Sequence, residues 1–102
     1  MDASEFGRFS DPALLILASL AGGEKHGYAM MEDIQTMTGV HLGPGTLYGA
    51  LSRLEQDGLI EALPADERRR PYRLTAPGVT FLRKYLASLK KIVSLGLKRL
   101  EA

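Results

Sequence analysis

The segment HLGPGTLYGALSRLEQDGLI, residues 41–60, decides how this chain folds. Leu47, Leu51 and Leu54 recur at helical spacing, so the run from Pro44 to Gly58 reads as an amphipathic helix. Thr46, Gly49, Ser52, Arg53 and Gln56 are left for its opposite side. Proline suits a first helical position and glycine a helix stop. The glycines at 43, 45 and 49 raise an alternative, a phosphate-cradling nucleotide loop. That fingerprint needs G-x-G-x-x-G after a strand in a βαβ unit. Here the order is G-x-G-x-x-x-G, no parallel-sheet pattern surrounds it, and no G-K-[ST] follows. A helix entry is the better reading.

Working outward, Asp11 and Pro12 read as the N-cap and first residue of an earlier helix. Its body, ALLILASLAG, is apolar on every side, which predicts a central, buried helix ending at Gly22 and Gly23. A second helix is predicted from about His26 to Thr38, with Met30, Met31, Ile34 and Met37 as its stripe and Gly39 as its cap. After Gly58 the period changes. LIEAL (59–63) and YRLT (72–75) are short strand-like runs around the charged, proline-bracketed PADERRRP, which predicts a hairpin with a long exposed tip. The register of the first strand is open, since its apolar residues do not alternate cleanly. Thr75 is the expected N-cap of a last helix running to about Arg99. Val79, Leu82, Leu86, Leu89, Val93, Gly96 and Leu100 are spaced 3, 4, 3, 4, 3, 4, a heptad seam that Phe81, Tyr85, Ile92 and Leu95 widen. A helix of roughly 24 residues is about 36 Å long. The smaller lobe before it does not cover that length, so a second subunit is expected to; folding back on its own lobe is the alternative.

At 102 residues the chain is expected to form one compact unit. Its 45% apolar and 25% charged content is ordinary for a globular protein. The N-terminal MDASEFGRFSDP lacks a basic leader region, and no apolar run approaches the length of a membrane span, so a soluble cytoplasmic protein without a membrane partner is expected. The absence of cysteine removes disulfides, thiolate metal sites and cysteine nucleophiles. Residues 1–40 carry six acids and two bases, whereas residues 41–102 carry six acids and eleven bases. A basic second half points to an anionic partner, although a solvated helix face gives the same counts.

Catalytic chemistry has little support. His26 and His41 form no H-x-x-x-H pair, so no metal site is expected; His26 reads as a residue bonding locally at a helix start. No G-x-S-x-G elbow occurs, and Glu32 and Asp33, adjacent on a helix, point apart. Neither an enzyme nor a cofactor is expected. The order of elements, three helices and then a two-stranded hairpin with a basic tip, is that of a winged helix-turn-helix. In that geometry the third helix enters the major groove and the wing meets the backbone or the minor groove. Thr46, Tyr48 and Ser52 can then donate to phosphates or bases, Arg53 can neutralise phosphate, and Gly45 with its neighbouring glycines lets the backbone approach. Arg68, Arg69 and Arg70 make the wing electropositive. Tyr48 as a core residue, and the arginine run as a solvated turn, are the plainer alternatives.

The segments HGYAMMEDI (26–34), PGTLYGALSRLEQDGLIE (44–61) and RRRPYRLTAPG (68–78) resemble the PadR family of bacterial transcriptional regulators, over roughly residues 12–90. The resemblance implies a mainly α winged-helix fold in a homodimer that represses transcription by binding double-stranded, pseudo-palindromic DNA. It implies a winged domain over residues 1–75 and a C-terminal dimerisation helix over 76–102; residues 1–10, ahead of the first helix, read as a loose or adaptable arm. Thr46, Tyr48, Ser52, Arg53, Arg69 and Arg70 match DNA-contacting positions, and Tyr28 matches one that packs or touches backbone phosphate. Leu82, Leu86, Leu89, Val93 and Leu100 are the expected dimer contacts. Some relatives hold planar aromatic drugs against a tryptophan of the last helix. This chain has no tryptophan, so Phe81, Tyr85 and Ile92 are the candidates for lining a different pocket for a small aromatic effector. A winged helix serving protein–protein contact without specific DNA binding is the alternative function.

Overall fold

The computed structural model describes residues 11–65 and 67–102; the expected arm at 1–10 lies outside the described residues. The elements run α1 (Pro12–Ala21), β1 (Lys25–His26), α2 (Gly27–Thr38), α3 (Pro44–Gln56), β2 (Ile60–Ala62), β3 (Pro71–Leu74) and α4 (Ala76–Glu101). Three helices, a small antiparallel sheet and a long terminal helix make a winged helix-turn-helix with a C-terminal extension. The expected hairpin is present, but β3 is the central strand of a sheet ordered β1-β3-β2. Lys25 pairs with Tyr72 and His26 with Pro71 on one side, and Ile60, Glu61 and Ala62 pair with Leu74, Arg73 and Tyr72 on the other. The extra strand is two residues long, too short to carry a period of two. The β2 register buries Ile60 and turns Glu61 outward, where its carboxylate meets Arg73 Nε across the strands at 2.6 Å.

The helix starts are built as their sequences predict. Asp11 Oδ1 accepts from the Ala13 amide at 2.9 Å, His26 Nδ1 from the Ala29 amide at 3.4 Å, and Thr75 Oγ1 from the Gly78 amide at 3.1 Å. Each satisfies an amide that the helix itself leaves open. Helix α1 is the hub. Leu15, Ile16, Leu17 and Leu20 are all buried, and α2, α3 and α4 pack around them through Met30, Ile34, Leu47, Leu51, Leu54 and Leu82. The expected stripe of α2 is narrower than its methionines imply, since Met37 is 46% exposed.

A polar clasp joins three elements beside this core. Buried Ser19 donates its hydroxyl to Asp33 Oδ2 at 2.6 Å, and Lys25 Nζ donates to the Ser19 carbonyl at 2.6 Å. Lys25 thereby fixes β1 against α1 and α2, which is how a two-residue strand finds its place at the sheet edge.

Helix α4 is joined to the body at one tight spot. The Thr75 amide donates to the Leu59 carbonyl at 3.1 Å, and the Thr75 hydroxyl to the Gly58 carbonyl at 2.6 Å. One turn on, Gly78 lies so close to Leu59 that an added Cβ would overlap the Leu59 carbonyl oxygen. Gly49, in the middle of α3, has nothing within 4 Å of the corresponding position. Gly78→Ala should therefore cost roughly 3 kcal/mol of stability, because backbone rather than a movable side chain must yield. Gly49→Ala should raise stability by about 0.5–1 kcal/mol through helix propensity alone. Urea midpoints at unchanged m-value would read both.

Candidate nucleic-acid interface

Helix α3 stands as a ridge between two clefts. Its apolar side, Leu47, Leu51 and Leu54, is fully committed to the core. The opposite side exposes Gly45, Gly49, Ser52 and Gln56, so the crest of the ridge is nearly bare of large side chains. Tyr48 leans from this helix to one flank and Thr46 and Arg53 to the other.

The first cleft, about 370 Å³, is lined by His26, Gly27, Tyr28, Tyr48, Tyr72 and the wing arginines Arg68, Arg69 and Arg70. Tyr28, Tyr48 and the three arginines are residues to which the sequence points, and they come from three separate segments. Tyr48 is half exposed, as expected of a surface residue, yet its ring is seated rather than free. The ring lies over Gly27, where an added Cβ would come within 2.5 Å of the phenol oxygen. A glycine at 27 is thus what lets α3 lay its tyrosine across the start of α2. Tyr28 beside it is 64% exposed. Tyr72, on the wing strand, is not singled out by the sequence, because its neighbours on β3 show no period that marks it. Burial, and next the Glu55 carboxylate, raise its phenol pKa above the ordinary value, with Arg70 opposing and Tyr48 adding to the rise. Its hydroxyl therefore stays protonated at neutral pH and is available as a donor inside a cationic cleft.

The second cleft, about 320 Å³, lies where α3 meets the start of α1 and is lined by Asp11, Pro12, Gly45, Thr46, Gly49 and Arg53, among others. Ser52 lines neither cleft and sits on the exposed crest. The start of α3 differs from that of the other helices. Its N-cap is Gly43, without a side-chain cap, and Pro44 has no amide to donate. The amides of Gly45 and Thr46 find no acceptor among the described residues, so two polarised N–H groups face solvent at the head of the ridge. Among the described residues no carboxylate pairs with Arg53, Arg68, Arg69 or Arg70; the two ion pairs are Lys25–Asp33 and Arg73–Glu61. No group of three or more His, Asp or Glu suited to a metal occurs among the described residues.

The seam of α4 divides. Leu82 is only 5% exposed and lies in the subunit's own core, so its place in the heptad pattern does not make it a free contact. Leu89 is half-buried, whereas Leu86, Val93 and Leu100 are 46%, 59% and 84% exposed. Phe81 and Tyr85 meet edge to face with ring centroids 6.0 Å apart, and the Tyr85 hydroxyl lies 3.4 Å from Asp11 Oδ2. They border a shallow depression with Lys84 and Ser88. Ile92 lies outside it, 67% exposed, so one subunit does not bring the three candidate effector residues together. No helix among the described residues is long and apolar enough to cross a membrane.

A winged helix with an exposed, cation-flanked third helix is the architecture of a DNA-reading regulator. The chain belongs to the PadR-like family of transcriptional regulators, whose family model matches residues 16–84. It is 38% identical over 82 residues to the transcriptional regulator Rv3488 of Mycobacterium tuberculosis, covering 78% of this chain and 76% of that protein. It is also 41% identical over 85 residues to an uncharacterised 37.1 kDa protein of transposon TN4556 from Streptomyces fradiae, a match over 83% of this chain and 25% of that longer protein. Among solved structures, a PadR family transcription regulator from Clostridium difficile superposes with a TM-score of 0.79 at 26% identity, over 87% of this chain and 97% of that one. A transcriptional regulator from Clostridium thermocellum does so with a TM-score of 0.75 at 28% identity, over 84% and 89%.

If Gly27 exists to seat Tyr48, Gly27→Ala should cost about 1–3 kcal/mol by overpacking. Most of that loss should vanish in a Tyr48→Ala background. A double-mutant cycle in urea would show a coupling between the two positions; additive losses would count against the contact.

Proposed function

We infer that this chain is a sequence-specific DNA-binding repressor that acts as a homodimer. The single observation that carries the reading is the ridge of α3. Its crest carries only Gly45, Gly49, Ser52 and Gln56, its head offers two unbonded amides, and arginines flank it on both sides. Such a ridge can sink into a major groove until backbone meets phosphate. Gly45, Thr46 and Ser52 then face base edges or the near strand. Tyr28, Tyr48 and Arg68–Arg70 follow the backbone on the wing side, and Arg53 follows it on the other. Leu86, Leu89, Val93 and Leu100 supply the apolar surface for a second copy, and pairing through α4 would set two half-sites about 34–36 Å apart. A small aromatic effector would enter beside Phe81 and Tyr85, whose link to Asp11 reaches the head of α1 and the α3 cleft. A DNA partner accords with a cytoplasmic protein.

Footprinting on the DNA upstream of its own gene tests the reading directly. A protected pseudo-palindrome supports it. Absence of any specific shift would favour a winged helix that binds proteins instead.

Arg69→Ala should weaken binding to all duplexes alike and lower the slope of log K against log salt by about 0.9 for each phosphate no longer neutralised. Ser52→Ala and Thr46→Ala should instead change the preference among operators, by about 1–3 kcal/mol at one base pair. For assembly, Leu86→Glu combined with Val93→Glu should yield monomers by sedimentation while leaving the circular dichroism of the winged body in place.

A further inference from the structure

Helix α4 carries a second charged surface that the ridge of α3 does not account for. Between Ala76 and Glu101 it contains six bases, Arg83, Lys84, Lys90, Lys91, Lys98 and Arg99, against a single acid, Glu101, at its last residue. They are not spread evenly around the helix. Gly78, Leu82 and Leu89 mark the inward side, and both Lys84, Lys91, Lys98 and Arg83, Lys90 repeat every seven residues on the outward side. Two rows of cations therefore run along the helix, each step of seven residues rising about 10.5 Å. Between the rows stand the small residues Ala87 and Ser94. The result is a shallow trough of about 720 Å³ along the second half of α4, edged by Lys90, Lys91 and Lys98, with Leu95 and Leu97 beside the small residues and Glu101 closing its far end. Residues 90–102 are exposed throughout.

A solvated helix face ordinarily mixes signs, because a Glu four residues before a Lys stabilises the helix and like charges at that spacing destabilise it. Here the one acid, Glu101, stands at the very end of the helix beside Lys98, and among the described residues no carboxylate pairs with any of the six bases. Only Lys98 and Arg99 gain from the helix dipole, at its last turn. Leu86, Leu89, Val93 and Leu100 lie on the other side of the helix, so a second copy held by those four leaves both rows uncovered.

We propose that the outer face of α4 is a sequence-independent seat for the phosphate backbone of duplex DNA, separate from the α3 ridge. The occupant is set by charge complementarity: rows of cations, Lys84, Lys91 and Lys98 beside Arg83 and Lys90, that no carboxylate pairs among the described residues, fit a polyanionic strand laid along the helix. Because it meets only phosphates, this seat adds affinity and salt dependence without sequence preference. It goes beyond the operator reading, since it requires no base contact and no residue of α3 or the wing.

The test is the triple substitution Lys84→Gln, Lys91→Gln, Lys98→Gln in the full chain, titrated with a random-sequence duplex at several salt concentrations. Sedimentation and circular dichroism confirm unchanged assembly and helix content. The expected result is at least about tenfold weaker binding and a salt slope lower by about 2.7 per subunit, one phosphate for each lysine. That loss should add to the loss from Arg69→Ala. Unchanged affinity and slope would overturn the proposal. So would binding of the wild-type chain to phosphatidylserine vesicles that the triple substitution abolishes while duplex binding stays intact, because the seat would then be for lipid. Failure of the operator reading looks different: random duplex is still bound at low salt and the triple substitution still weakens it, while no sequence is preferred and Arg69→Ala has no effect.

Discussion

The joint between Gly78 and Leu59 governs how the pieces of this molecule face one another. Thr75 bonds to both Gly58 and Leu59, and the absence of a side chain at 78 lets the first turn of α4 rest on the Leu59 backbone. That joint holds the end of α3, the start of the wing and the exit of α4 together. The direction of the ridge, the hang of the wing and the course of the long helix cannot vary independently. Leu82, one turn further, anchors the same helix in the core around α1. The rest of α4 then leaves the body with its apolar and basic faces already oriented.

A second close approach does for the interface what the first does for the frame. Tyr48 crosses the start of α2 because residue 27 is glycine, and this brings the α3 ridge, Tyr28 and the wing arginines around one cleft. The glycines on α3 play the opposite part. A Cβ added at Gly45 or Gly49 would meet nothing within 4 Å, so glycine there costs helix propensity without relieving any internal crowding. They leave a low crest on the exposed side of the helix. A fold that places bulk where it seals and removes it where it must meet a partner is consistent with a reader of a grooved surface.

Much of this is legible in the sequence, for local reasons. The leucine stripe of α3, the all-round apolarity of α1, and the caps at Asp11, His26 and Thr75 are properties of neighbours within a turn or two. The features that escape a sequence reading need distant segments to meet. Lys25 and His26 form a strand only because β3 and the Ser19–Asp33 clasp lie beside them. Tyr72 joins the cleft only through the sheet register. Met37 has the spacing of a core residue but is left nearly half exposed.

By itself, then, the sequence determined the helices, their caps and stops, the basic wing, and the family, because periodicity and motif spacing are written along the chain. Only the tertiary structure decided which apolar face is covered by what. Leu82 and Leu86 stand four residues apart in one seam, yet the first belongs to the chain's own core and the second to its surface. Period reports that a face is apolar; it does not report the surface that will meet it. The same holds for charge. The bases of α4 are plain in the sequence, but the division of the helix into a buried side, a seam and two outward rows appears only once α1 and Leu59 fix which way the helix is turned.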